Sequence, residues 1–284
     1  MRIHIFPPYA FNLMGRREYQ QDSLYAGEET RGSDGHFYIV CDGVGGCEHG
    51  ELASETVTAR LASILDDVDW EKPFTPAHFG EALAMACATL DKVAEGVDTG
   101  TTLTLLCLHA GGCLMAHIGD SRLYHLRPGV GIVYRSEDHS LVSDLVRGGK
   151  ISAEAALTHP DRNVITRCME PRRGRPHDRA TVRTTNDVKA GDIFILCSDG
   201  VSDEIDDATL SELLLAPEPM EEKFSNLEAL CEDASDNATA IVVEVSSVDD
   251  AEEPIADMVV ETPPSGEDVQ RVSLWTRLKQ LFKL

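Results

Sequence analysis

Short apolar runs recur along the chain and break at polar turns, the pattern of half-buried and buried strands. Residues 1–14 alternate around Pro7-Pro8 and predict two short strands. Gly15 to Ser23 is polar and predicts a loop; Leu24-Tyr25-Ala26 resumes a strand, and Glu28 to Gly35 reads as a turn. Phe37-Tyr38-Ile39-Val40-Cys41 predicts a buried strand that stops at Asp42. From Glu51 the period becomes helical. Leu52, Val57, Leu61, Ile64 and Leu65 form one stripe. A second helix starts near Pro76, carries Phe79, Leu83, Met85, Ala86, Leu90 and Val93, and is stopped by Gly96. Strands return at 101–108 and 113–118 around a glycine turn, then at 122–126 and 130–135 around Pro128-Gly129. Further strands are predicted at 181–185, before Asp199, and at 240–245. Short helices are predicted at 140–146, 152–157, 207–215 and 221–231, and residues 158–179 predict an ordered but irregular flap. Strands dominate and helices come in consecutive pairs, so the expected class is α+β, with two antiparallel sheets covered by helix pairs.

After Val245 the pattern changes. Asp249, Asp250, Glu252, Glu253, Asp257, Glu261, Glu267 and Asp268 are interspersed with Pro254, Pro263 and Pro264. Three regions are therefore expected: a main domain over 1–247, an acidic linker over 248–270, and an amphipathic helix over 271–284. In that helix Val272, Trp275, Leu278, Leu281 and Phe282 share a face flanked by Arg271, Arg277, Lys279 and Lys283. Docking on a partner groove, docking on an anionic membrane surface, and packing back on the body all fit it.

Charge narrows the chemistry. The formal net charge is −24, of which the eight acids and four bases of residues 249–284 carry −4. So acidic a chain is unsuited to nucleic acid, whose phosphates call for Lys and Arg, and suited to divalent cations. None of the eight cysteines has C-x-x-C spacing, and most lie in apolar runs, so free buried thiols and a reducing, cytoplasmic setting are expected. No secretory leader pattern opens the sequence, and no run is long enough to span a membrane.

Three apolar runs end in an aspartate: Asp42 before Gly43, Asp120 after Gly119, and Asp199 before Gly200. Asp236 stands just before the last strand, and Asp203 lies four residues after Asp199. Taken singly, each is an ordinary turn residue. Together at strand ends they form a set of hard oxygen ligands suited to Mg²⁺ or Mn²⁺, which would relieve their mutual repulsion. Two such ions about 3.5–4 Å apart are the usual arrangement for activating water against a phosphate. Cys47 and His49, just past the glycine turn, make a poor zinc site.

The ordered segments Arg17…Gln21-Asp22, Val40-Cys41-Asp42-Gly43-Val44-Gly45-Gly46, Gly100-Thr101-Thr102, Gly119-Asp120-Ser121-Arg122, Asp138-His139-Ser140, Ser198-Asp199-Gly200-Val201…Asp203 and Asp236-Asn237 resemble those of the metal-dependent type 2C (PPM) Ser/Thr protein phosphatases of bacteria. The resemblance spans about residues 10–245. It implies a four-layer α-β-β-α sandwich and hydrolysis of phosphoserine and phosphothreonine in proteins, targets of a Ser/Thr kinase, by a metal-bridging hydroxide in a monomer. A pseudo-phosphatase using the same fold as a binding module is the competing class. The resemblance also implies two Mg²⁺ or Mn²⁺ ions, with Asp42 bridging them, the Gly43 carbonyl on the second, and Asp199 and Asp236 on the first. Asp120 and Asp203, with Asp199, match a weaker third position. Arg17 would clamp the substrate phosphate and Asp22 would hydrogen-bond metal-bound water. Residues 140–179 match the family's variable flap, where Asp161-Arg162-Asn163 reads equally as a substrate contact or a loop salt bridge. His139 reads as a structural hydrogen-bonding group. Two departures bear on the site: Gln21 brings no charge where some members have Glu, and Val44 stands where eukaryotic members carry a histidine thought to protonate the leaving group.

Overall fold

The computed structural model describes residues 1–27, 35–44, 47, 49–172, 175–249 and 257–262. The predicted helix over 271–284 and most of the turn over 28–35 lie outside the described residues. One sheet holds β1 (Arg2–Ile5), β2 (Tyr9–Leu13), β7 (Arg122–Arg127), β8 (Gly131–Arg135), β10 (Ile193–Cys197) and β11 (Ala238–Asp249). The other runs β12 (Met258–Glu261), β9 (Thr181–Thr185), β6 (Gly112–Ile118), β5 (Leu103–His109), β4 (Phe37–Cys41), β3 (Ser23–Tyr25). Every strand pair is antiparallel.

Strand alternation explains the layering. In β4, Tyr38 and Val40 point between the sheets, where they meet Phe194 and Leu196 of β10 and Ile241 and Val243 of β11. Phe37, Ile39 and Cys41 point the other way, into a core with α1 (Gly50–Leu65) and α2 (Pro76–Val93). Likewise Ile193, Ile195 and Cys197 face α5 (Asp199–Ser202), α6 (Asp207–Leu215) and α7 (Met220–Cys231). Both faces of each central strand are covered, hence the near-continuous apolar runs. The result is the expected four-layer α-β-β-α sandwich. α2 begins with a capping box: Thr75 Oγ1 accepts from the His78 amide at 3.4 Å, and the Thr75 amide donates to His78 Nδ1 at 3.2 Å. The flap carries α3 (Leu141–Arg147) and α4 (Ala153–Leu157), capped by Ser140 and Ser152.

Three features depart from expectation. β11 runs to Asp249, so a boundary at 247 falls inside a strand. Residues 258–261, in the stretch expected to be linker, form β12 and pair with β9. The segment from Asp199 to Asp203 is a single helical turn rather than a plain Asp-Gly turn, since the Asp203 amide donates to the Asp199 carbonyl at 2.8 Å. All eight cysteines are free, six of them buried. Among the described residues no helix is long and apolar enough to cross a membrane.

Candidate active site

Strand ends from both sheets meet at one edge of the sandwich. β4 and β6 run in the same direction, because each is antiparallel to β5, and their C-terminal ends deliver Asp42 and, past Gly119, Asp120. On the facing sheet β10 ends at Ser198-Asp199, beside the start of β11, which Asp236-Asn237 precede, as Cys197 pairs with Ala240. Arg17, Gln21 and Asp22 arrive on the loop from β2 to β3.

That loop is held by backbone and amide contacts. Asn237 Oδ1 accepts from the Gln21 amide at 2.9 Å, and Asn237 Nδ2 donates to the Met14 and Tyr19 carbonyls at 2.9 and 3.0 Å. The Gly43 amide donates to the Gln21 carbonyl at 3.1 Å. A Cβ on Gly43 would lie 2.6 Å from both the Gln21 oxygen and the Gly50 carbonyl carbon, so only glycine admits this close approach. The Asp42 amide donates to Thr102 Oγ1 at 3.0 Å; its carbonyl accepts from Thr101 Oγ1 and the Thr102 amide, both at 2.8 Å. The Asp42 backbone is therefore fully anchored, and its carboxylate is left for chemistry.

The carboxylates are costly neighbours. Burial, and then repulsion from Asp22, Asp199 and Asp120, pushes Asp42 well above the ordinary range. Burial raises Asp120 to about 8, with Asp199 and Asp138 adding repulsion. Asp199 is raised to about 6 by burial and then by Asp236. Asp22 reaches about 7 through burial, although Thr239 and Ser198 hydrogen-bond to it. Ser198 Oγ donates to Asp22 Oδ2 at 2.7 Å, while Asp22 Oδ1 is buried with no partner. Asp42 and Asp199 act on each other directly, so the two cannot both ionise without cost unless a cation offsets them. Asp203 adds to the repulsion felt by Asp199.

Such a set fits divalent cations: hard oxygens, desolvated and mutually repelling, with one buried oxygen unpartnered. Among the described residues no three His, Cys, Asp or Glu side chains already stand at metal-ligand spacing. Other positive groups meet two of the acids instead. Arg17 Nη2 lies 2.5 Å from Asp236 Oδ2, and Arg162 Nη2 lies 3.5 Å from Asp203 Oδ2. Arg17, expected to face the phosphate, is thus placed on a carboxylate of the site.

The expected carboxylates Asp22, Asp42, Asp120, Asp199, Asp203 and Asp236 are all brought to this one region, with Gly43 and Arg17 beside them. The sequence reading missed Ser198 as the partner of Asp22, Asn237 as organiser of the 14–22 loop, and Glu51. Gln21 Nε2 donates to Glu51 Oε2 at 3.3 Å, so a carboxylate one residue into α1 stands beside the neutral Gln21. Ser198 adjoins Asp199 in sequence, a signal that was available; Glu51 had none. Val44 donates its amide to the Gly100 carbonyl at 2.9 Å and supplies no acid. His139 hydrogen-bonds to Gly119 and Thr181, the structural role expected of it. Of the Asp161-Arg162-Asn163 triplet, Arg162 stands half-exposed in an ion pair with Asp203.

Asp120, Asp199 and Asp203 also line a cavity of about 380 Å³ that runs under α3 and α4 and receives Arg122, Arg135 and Arg162. Arg122 is gripped by Asp138 at 2.9 and 2.7 Å. Burial opposes its charge, but those two bonds outweigh burial and raise its pKa.

The Protein phosphatase 2C family profile matches residues 15–240. The Ser/Thr protein phosphatase PstP of Mycobacterium tuberculosis is 36% identical over 239 residues, 82% of this chain and 43% of PstP, so the match spans less than half of that relative. Protein phosphatase PhpP of Streptococcus pneumoniae is 29% identical over 74% of this chain and 86% of its own length. Among solved structures, the catalytic domain of PstP in complex with two manganese ions aligns with a TM-score of 0.70 at 30% identity, covering 86% of this chain and all of that one. Stp1 of Staphylococcus aureus aligns at 0.73 with 26% identity, covering 87% and 98%.

Proposed function

The chain belongs to the protein phosphatase 2C family, and on that premise we propose that it is a metal-dependent protein phosphatase that hydrolyses phosphoserine and phosphothreonine. The observation that carries the proposal is the convergence of buried, mutually repelling carboxylates from both sheets at one edge. Asp42, the Gly43 carbonyl, Asp199 and Asp236 would hold two divalent ions, Mg²⁺ or Mn²⁺, and Asp120 and Asp203, with Asp199, a third. Bound there, divalent ions supply Lewis acidity towards phosphoryl oxygens and acidify water.

The chain's own residues do the rest. Asp22, fixed by Ser198 and left with one buried oxygen unpartnered, would accept a hydrogen bond from metal-bound water. Arg17 is 47% exposed by side chain, so its planar fork can leave Asp236 for a phosphate once that acid is neutralised. Thr101 and Thr102 lock the Asp42 backbone, so that only the carboxyl group itself need adjust on binding. The free, mostly buried thiols support action on phosphoproteins in a reducing compartment such as the cytoplasm. The complete carboxylate set speaks for turnover rather than a non-catalytic binding module.

Hydrolysis of an aryl phosphate and of a phosphothreonine peptide, with Mn²⁺ and with chelator, tests this. Turnover is expected only with metal. Absence of turnover in every divalent ion would overturn the reading.

A further inference from the structure

Strand β12 is joined to the carboxylate end of β6 by one directed run of hydrogen bonds. The Gly119 amide donates to His139 Nδ1 at 3.2 Å. A neutral ring accepting there carries its proton on Nε2, which faces Thr181 Oγ1 at 3.0 Å. Accepting that hydrogen bond, the Thr181 hydroxyl donates its own proton to a bond with Glu261 Oε1 at 3.0 Å. The other oxygen, Glu261 Oε2, receives Arg167 Nη1 at 2.8 Å. The bonds from Gly119 to Glu261 run in one consistent sense, and Arg167 Nη1 also donates to the Arg179 carbonyl at 3.2 Å.

Both ends of the run reach the machinery. Gly119 has a φ of +99°, and a Cβ on it would meet Thr102 Cγ2 at 2.6 Å, so the turn that presents Asp120 is tightly fitted against the residue that anchors Asp42. The His139 amide also donates to the Gly119 carbonyl at 2.9 Å, which clamps that turn from both sides. The His139 carbonyl accepts from Thr166 at 2.8 Å, and the Leu141 amide donates to the Val164 carbonyl at 2.8 Å. The two limbs of the flap are therefore zipped together at His139, and Arg167 lies one residue beyond the zip. Nearby, the Thr262 amide donates to the Ala180 carbonyl, and the Ala180 amide to Thr262 Oγ1, each at 3.0 Å. These contacts fix Glu261 in register beside Thr181.

We propose that Glu261 is a positioning residue: through Thr181 and His139 it sets the Gly119–Asp120 turn, and through Arg167 it ties down the returning limb of the flap. The C-terminal strand thereby governs both a cation-binding carboxylate and the wall over which a phosphopeptide must pass. β12 lies beyond residue 240, where the family profile ends. The enzymatic part rests on the function proposed above; the structural part does not.

Hydrogen exchange of the full-length, metal-free chain separates the two. Glu261→Ala is expected to speed exchange at the Gly119 and Thr166 amides about tenfold, as loss of a charge-assisted contact would. Thr181→Val breaks the run yet keeps a β-branched residue and the Arg167–Glu261 pair. It is expected to reproduce the Gly119 change, which keeps the idea testable should Glu261→Ala fail to fold. Glu261→Gln, which retains an acceptor for Thr181, should restore Gly119 protection. With Mn²⁺, Glu261→Ala should raise KM for a phosphopeptide about fivefold or more through the flap, and should raise the Mn²⁺ concentration for half-maximal turnover of a small aryl phosphate about tenfold through Asp120. Faster exchange confined to β9 and β12, with Gly119 unchanged in both variants, would overturn the proposal. Absence of phosphopeptide turnover in the parent would instead count against the proposed function, and the exchange result would still decide the brace.

Discussion

At the scale of single residues, the site is built to be unstable alone and stable when filled. Asp42 is the centre of this, since Asp22, Asp199 and Asp120 all repel it. Asp42→Asn is expected to lower kcat by at least about 10²–10³-fold, the scale of losing one preorganised charge-stabilising group. The same substitution should raise the Tm of the metal-free chain at neutral pH, because an amide, unlike the acid, need take up no proton to be buried among carboxylates. A variant that lost activity and also lost metal-free stability would show that Asp42 has a structural role this reading does not give it. A pH dependence follows from the same group. An acid whose folded pKa lies above its unfolded value binds its proton more tightly when folded, so the metal-free fold loses stability as pH rises through the folded values. Those values are about 6 for Asp199, about 7 for Asp22 and about 8 for Asp120. In chelator, Tm should therefore fall from about pH 4, the ordinary carboxylate range, to about pH 8, and level off above it. In saturating Mn²⁺, where the ions take the place of those protons, that fall should vanish. Scanning calorimetry at several pH values, with and without metal, checks both.

At the scale of elements, turns aim the carboxylates and helices bury the sheets, and the two jobs can be separated. Gly200 in α5 sits against the Asn237 carbonyl, where a Cβ would lie 2.0 Å from the oxygen. Gly200→Ala must push α5 away from the start of β11 and carry Asp199 and Asp203 with it. Its Mn²⁺ affinity, measured by titration calorimetry, should drop about 10–100-fold, as when the supports of metal ligands are disturbed. Leu61→Ala, a fully buried position of α1, is the contrast. It should cost about 2–5 kcal/mol of stability and leave Mn²⁺ affinity unchanged. Equal metal affinity in the two variants would mean that α5 does not aim its carboxylates. The same division explains what the sequence could show. Asp42, Asp120 and Asp199 were legible because an apolar run and the acid that ends it are adjacent in the chain. α5 was not, since four residues carry no helical period. β12 was not, because Met258 and Val259 are exposed and the strand is defined by pairing with β9 across more than seventy residues of sequence. Nor was the Arg17–Asp236 pair, whose members stand 219 positions apart. Glu51 escaped notice because a first-turn acid is ordinary at any helix start.

At the scale of the whole molecule, charge sets which substrates arrive. The chain carries −24, and its flap cavity offers little free positive charge to offset this. Arg122 is held by Asp138, Arg135 lies 3.0 Å from Asp207, and Arg162 lies 3.5 Å from Asp203. Arg17 is likewise on Asp236. A phosphopeptide, itself anionic at the reacting group, approaches a surface of its own sign until it meets the filled metal site. Basic residues flanking the phosphoresidue would offset that repulsion, and acidic ones would add to it. Phosphothreonine peptides with Lys and Arg at their flanks should therefore surpass matched Asp and Glu peptides in kcat/KM. The expected margin at low salt is about tenfold or more, the lower range of electrostatic steering. It should shrink towards parity near 1 M salt, where the screening length is about 3 Å and only contacts survive. Because steering acts on encounter, the difference should appear in kcat/KM and be small in kcat at saturating peptide. A preference for basic flanks that persists unchanged at high salt would point instead to direct pairing with acids lining the cleft, and a preference for acidic flanks would refute electrostatic steering by the acidic body.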